Sequence, residues 1–235
     1  MHSFRPALFV FFSFFVVING QSKQFFMIFF NARLNDSFEL SATTSTTSTT
    51  TTTTAGAFCG NTQLDQSVRQ RFFEKHNLLR GSLARGQTER NGDLGIAPPA
   101  ANMYRMRYSC DAESYAQQHA NTCDQRVLPP SGRPGYKENI YSFRGSGSQA
   151  DAAEAATNNW WSQLARNGMR SDMLFTSAVR HRETRRVTKW SKMAWWNNLE
   201  VGCAINSCNG FQFVVCMYRP GGNNVGDYVY NVGAV

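Results

Sequence analysis

Apolar residues in the second half of this chain recur with two different periods. Val201, Cys203 and Ile205 alternate with smaller or polar neighbours, and Phe211, Phe213, Val215 and Met217 alternate again over residues 211–218. A period of two is that of a strand, and Asn209-Gly210 between the runs tolerates the positive φ angles of a tight turn, so the pattern predicts a hairpin. Upstream the period lengthens. Val68, Phe72, Phe73, His76, Leu79 and Leu83 fall on one helical stripe, with Arg69, Gln70, Glu74 and Lys75 outside it and Gly86 as the stop. A second helix is predicted over residues 111–123, where Ala112, Tyr115, Ala116, His119 and Cys123 share a face and Asp111 and Glu113 favour the helix dipole. A third covers about 149–166, turning Ala152, Ala153, Ala156, Trp160 and Leu164 inward. Residues 91–99 are turn chemistry, and 124–148 reads as a long loop. Helices first and strands last give an α+β domain rather than a repeating βαβ chain.

The first 58 residues do not join this pattern. Arg5 precedes an apolar run over residues 7–18, too short to span a membrane and shaped like the apolar part of a signal peptide, with cleavage near Gly20. A signal anchor is the competing arrangement. No later segment approaches the ~20 apolar residues of a membrane helix. Residues 21–58 read as a disordered linker. They hold an isolated aromatic hexamer at 25–30, a sequon at Asn35-Asp-Ser37, and a pure Ser/Thr tract at 43–54 that buries no apolar surface and is open to O-glycosylation. Residues 59–235 suffice for one domain, burying roughly 70% of the unfolded surface. Secretion makes the six cysteines disulfides rather than free thiols.

Charge adds one feature. The net charge is +8, and residues 180–192 concentrate it: Arg180, Arg182, Arg185, Arg186, Lys189 and Lys192 stand against Glu183 alone. Such a run is either a solvated loop or a site for an anionic partner, whether sulfated glycan, acidic lipid or an acidic protein face. Trp190 beside it is placed to stack on a sugar or sit at a lipid interface. Nucleic acid is not expected for a secreted chain. Catalytic apparatus is not visible. No Gly-x-Ser-x-Gly elbow or free Cys–His pair occurs. His76 reads as a packed histidine and His181 as a solvated one, while His119 lies four residues before a cysteine expected to be bridged.

The motifs Phe73-Glu-Lys-His-Asn-Leu-Leu-Arg80, Ala97-Pro-Pro-Ala-Ala-Asn-Met103, Tyr108-Ser-Cys110, Ala116-Gln-Gln-His-Ala-Asn-Thr-Cys123 and Glu138-Asn-Ile-Tyr141 run in order along the chain. They continue with Trp160-Trp-Ser-Gln-Leu164, Met193-Ala-Trp195, Val201-Gly-Cys203 and Tyr218-x-Pro-Gly-Gly-Asn223. Together they resemble the CAP superfamily of cysteine-rich secretory, antigen 5 and pathogenesis-related proteins, above all its nematode activation-associated and venom allergen-like members. The resemblance implies a three-layer α-β-α sandwich with a small antiparallel sheet, and, of the fifteen pairings six cysteines allow, Cys59–Cys110, Cys123–Cys208 and Cys203–Cys216. Many members have a cleft of two His and two Glu able to hold zinc. Of that set this chain keeps Glu138, with Val127, Gln163 and Lys189 at the other positions. Valine is no ligand and an ammonium repels a dication, so no metal, no cofactor and no catalytic residue is expected. Glu138 is expected to bond backbone amides in the core. The implied function is a secreted, non-enzymatic effector or immunomodulator that binds a host or tissue partner. Its alternative is an extracellular sterol or lipid carrier.

Overall fold

The structure is a computed structural model that describes residues 12–18, 21–27 and 59–234. Strands β1 (Phe12–Ile18) and β2 (Gln21–Met27) pair antiparallel from Phe12↔Met27 to Ile18↔Gln21, in a unit separate from residues 52–235. Gln21–Met27 lies within the stretch read as a linker, and both runs carry the aromatic and β-branched residues that favour extended pairing. The Ser/Thr tract and the Asn35 sequon lie outside the described residues.

In the larger unit the amphipathic stripe forms α1 (Gln66–Arg85). Asp65 caps it through an acceptor to the Ser67 N–H at 2.7 Å, and Gly86 closes it in the left-handed conformation at φ 63°, its N–H on the Leu83 carbonyl. The chain then makes β3 (Arg107–Tyr108), α2 (Cys110–Ala120), β4 (Lys137–Phe143), α3 (Gln149–Trp161) and α4 (Gln163–Asn167). It ends with α5 (Ser177–Arg180), α6 (Thr188–Ala194), β5 (Glu200–Cys208) and β6 (Phe211–Arg219). The third expected helix is thus divided at Ser162.

The sheet order is β3-β5-β6-β4. β5 and β4 each run antiparallel to β6, while β3 is parallel to β5, so the sheet is mixed at one edge rather than purely antiparallel. β4 lies inside the stretch read as a loop. Its Glu138 and Asn139 are each only 1% exposed, so both faces of the strand are buried and no apolar alternation marks it.

Strand alternation on β6 feeds two cores. Phe213, Val215 and Met217 meet Ala112, Ala116 and Ala120 of α2. Val214, Cys216 and Tyr218 face the opposite layer with Phe72 of α1, Trp160 of α3 and Trp190 of α6. This is the three-layer sandwich. Gly202 sits at the closest approach of the first interface: a Cβ there would fall 2.2 Å from the Glu113 amide nitrogen and 2.5 Å from the Ser109 oxygen. Cys59–Cys110 ties the segment before α1 to the start of α2, Cys123–Cys208 joins the end of the α2 region to β5, and Cys203–Cys216 links directly opposed positions of β5 and β6. These are the three pairings the resemblance implied.

Candidate functional site

Glu138 pairs with Met217 in the sheet and so faces the α2 layer. Its Oε2 lies 2.8 Å from His119 Nδ1, its Oε1 accepts from the Leu128 N–H, and Arg133 Nε stands 3.7 Å from Oε1. The backbone-amide partner expected for Glu138 is therefore there, but the principal one is His119, whose Nε2 lies 3.1 Å from Asp124 Oδ1. Burial disfavours an imidazolium, yet the bonds to Glu138 and Asp124 outweigh it and raise the His119 pKa. His119 and Glu138 are nineteen residues apart, and only the packing of α2 on β4 and β6 brings them together; sequence spacing related His119 to Cys123 alone. Both side chains are fully buried, at 0% exposure.

Beside Glu138 opens a cavity of about 520 Å³, lined by Val127, Glu138, Arg133, Lys137, Arg180 and Lys192 among others. Each cation donates to neutral oxygens, and Arg133 also faces the Glu138 carboxylate. Arg133 donates to the Leu128 and Tyr136 carbonyls at 3.1 and 2.6 Å, and Lys137 to the Gly222 carbonyl and to Asn224 Oδ1. Arg180 donates to the Asn223 carbonyl at 3.0 Å and Lys192 to the Glu138 carbonyl at 2.6 Å. Burial, then the cations Lys189, Arg133 and Lys137, push Lys192 down to about 7 against the pull of Glu138. Burial and then Arg180 and Arg133 lower Lys137.

Gln163 and Lys189 are elsewhere. Gln163 Oε1 accepts from the backbone N–H of Lys189 at 2.9 Å and of Trp190 at 3.1 Å, satisfying the open start of α6, and Lys189 Nζ donates to the Ile140 carbonyl at 2.8 Å. So Val127 and Glu138 share one wall, while Gln163 and Lys189 bond each other.

The basic run is not one solvated loop. Arg180 closes α5, whereas Lys189 and Lys192 lie half-buried on α6 with their ammonium groups on carbonyls. Trp190 is 0% exposed, so its ring is core and meets neither sugar nor lipid. Arg182, Arg185 and Arg186 remain on the surface side. Arg182 donates to the Gly168 carbonyl at 2.7 Å, Arg186 Nε to the Arg182 carbonyl at 3.1 Å, and Arg185 stands 3.6 Å from the exposed Asp93. Arg182 and Arg185 line a depression of about 650 Å³.

His76 and His181 have structural partners. His76 is buried between the Phe72 carbonyl at 2.7 Å and the Tyr218 hydroxyl at 2.9 Å. The carbonyl can only accept, so Nδ1 carries the proton and Nε2 accepts from Tyr218. Burial lowers the His76 pKa to about 4 and keeps the ring neutral at pH 7. His181 is exposed. Its Nδ1 lies 2.9 Å from the Ser177 carbonyl and 3.2 Å from Ser177 Oγ. The carbonyl again fixes the proton on Nδ1, so that nitrogen has no lone pair with which to activate the serine. Among the described residues no three His, Cys, Asp or Glu side chains gather to hold a metal ion, and no helix is long and apolar enough to cross a membrane.

Comparison with known proteins follows this geometry. A model described as the cysteine-rich secretory protein family, CAP, matches residues 73–218. Ancylostoma secreted protein of Ancylostoma caninum is 38% identical over 74% of this chain and 41% of its own length, so the chain spans less than half of that relative. Hookworm platelet inhibitor 1 of the same species is 27% identical over 73% of each chain. Among solved structures, that of NaASP2 with Zn2+ superposes with a TM-score of 0.71 at 34% identity, covering 74% of this chain and 90% of that one. BmVAL-1 does so with a TM-score of 0.69 at 27% identity, covering 74% and 87%. With the order of motifs, the sandwich and the three disulfides, these matches establish that the chain belongs to the cysteine-rich secretory protein (CAP) family.

Proposed function

We propose that this chain is an extracellular effector that works by binding a host or tissue partner, that residues 1–20 direct its secretion, and that its exposed contact is the arginine face of Arg182, Arg185 and Arg186. Secreted relatives and three disulfides support the compartment. The observation that carries the contact is Arg185, whose side chain is 60% exposed and whose carboxylate partner at 3.6 Å, Asp93, is itself 93% exposed. An ion pair so open to solvent is weak, about 0–1 kcal/mol, which leaves the guanidinium available to an anionic partner such as a sulfated glycan.

Binding is favoured over catalysis because the one histidine–carboxylate pair at the cleft, His119 and Glu138, has no exposed surface from which to touch a substrate. Nor does the cleft suit a divalent cation of the kind named with NaASP2: both His119 nitrogens already face carboxylates, and the remaining wall supplies four cations.

Retention of the protein on immobilised heparin at stepped salt tests the arginine face. Retention above physiological salt, lost in the Arg182→Ala/Arg185→Ala/Arg186→Ala variant, is expected, since charge-mediated contacts are screened by salt. Equal retention of the protein and the variant refutes this contact.

A further inference from the structure

We propose that the 520 Å³ cavity beside Glu138 is a second and separate site, built to hold the tetrahedral oxyanion of a phosphate or sulfate ester between Arg133, Lys137, Arg180 and Lys192. It shares with the reading above only the premise that the chain acts by binding.

The charge balance of the wall points there. Four cations from the loop before β4, from β4 itself, from α5 and from α6 converge on one concavity. Glu138 is the carboxylate residue among the cavity's lining; its oxygens bond His119 and the Leu128 amide, and of the four cations Arg133 stands 3.7 Å from Oε1. The raised affinity of His119 for its proton balances that carboxylate further. Asp227 also acts on Lys137, and Lys137 remains lowered all the same. Neutral oxygens orient Lys137, Arg180 and Lys192 without neutralising them, while Arg133 also faces the Glu138 carboxylate. An ammonium has three donors and a guanidinium five. Lys192 uses one donor and Arg180 one, so both keep N–H groups free.

Fixed donors on several sides suit a tetrahedral oxyanion better than a planar carboxylate, which a single bidentate arginine would satisfy. Donors already held in place bind with less loss of side-chain entropy. Burial first, and then neighbouring cations, lower Lys192 and Lys137, and an incoming dianion offsets both effects. The volume lies within the range of small-ligand sites, roughly 300–1,000 Å³. Val127, Pro130 and Pro220 supply an apolar lip for the rest of the ester.

Isothermal titration of the full chain at low ionic strength with inorganic phosphate, and separately with sulfate, is the test. One saturable site is expected, weakened roughly tenfold or more by Arg180→Gln and by Lys137→Gln, since bonds to charged groups are each worth about 1.5–3 kcal/mol. Arg180 is exposed at the end of α5 and Lys137 half-buried, so folding is expected to survive either change. Glycerol 3-phosphate and N-acetylglucosamine 6-sulfate then separate the two sources of the oxyanion by affinity. Phosphate binding unchanged in the Arg182→Ala/Arg185→Ala/Arg186→Ala variant supports two sites. Absence of saturable binding overturns the proposal, as does binding lost in that triple variant but intact in Arg180→Gln.

Discussion

Glu113 is a buried carboxylate whose loss should cost stability sharply. By sequence it is a first-turn acid favourable to the dipole of α2. In the folded chain it is 0% exposed and accepts from Arg69 Nε at 2.7 Å, Arg69 Nη2 at 2.8 Å and the Tyr108 hydroxyl at 2.6 Å. This two-pronged pair fastens α1 to α2 at a point where the Arg69 side chain is itself only 6% exposed. Glu113→Gln keeps the shape and removes the charge, stranding a guanidinium away from water. Breaking a buried pair in this way costs about 3–5 kcal/mol. At about 2–4 °C per kcal/mol for a domain of this size, the melting temperature should fall by about 6–20 °C. Replacing both partners, Arg69→Met with Glu113→Leu, should recover most of the loss, because the desolvation cost of both charges disappears with them. Urea unfolding of the three proteins with disulfides intact measures this. A loss under about 1 kcal/mol in the single variant, or a double variant no better than the single, would refute the reasoning.

Two further outcomes follow from the same geometry. Gly202→Ala places a methyl group 2.2 Å from the Glu113 amide, against backbone that cannot swing away, and should cost at least about 1–3 kcal/mol by overpacking; a variant as stable as the parent in urea would contradict the close seating of α2 on β5. Lys192 is held at about 7 in the fold, below the usual lysine value, by burial and by Lys189, Arg133 and Lys137, with Glu138 opposing. The unfolded chain therefore binds the extra proton between pH 7 and the ordinary lysine range, so this group makes stability rise with pH across that window and adds no slope below it. The stability difference between the parent and Lys192→Met, measured at pH 6.5 and 9.5, should shift towards the parent at the higher pH; a difference independent of pH would disprove the assignment.

Much of the frame was legible in the order of residues. The period-two runs and Asn209-Gly210 gave the β5–β6 hairpin, with Gly210 at φ 80° in the turn. The 3.6-residue stripe from Val68 to Leu83 gave α1 and its glycine stop. Two strands were not legible for different reasons. β3 is two residues long, and β4 buries polar side chains on both of its faces, so neither carries a periodic signal. The charged segment at 180–192 was legible as composition but not as exposure. Whether a lysine or tryptophan of a cationic run points out or in depends on the layer it meets, and α6 turns Trp190 into the core.

What the sequence determined by itself is therefore what depends on neighbours along the chain: helix and hairpin placement, caps and turns, the cysteine supply and the family motifs. Local geometry and periodic burial need no distant partner to be read. Only the tertiary structure decided the pairing of His119 with Glu138, of Arg69 with Glu113, and the gathering of Arg133, Lys137, Arg180 and Lys192 around one cavity. The two pairs join residues 19 and 44 positions apart and the cavity draws on four separate elements, and the energy of a charge there is set by burial and by which charges the folded layers bring alongside it.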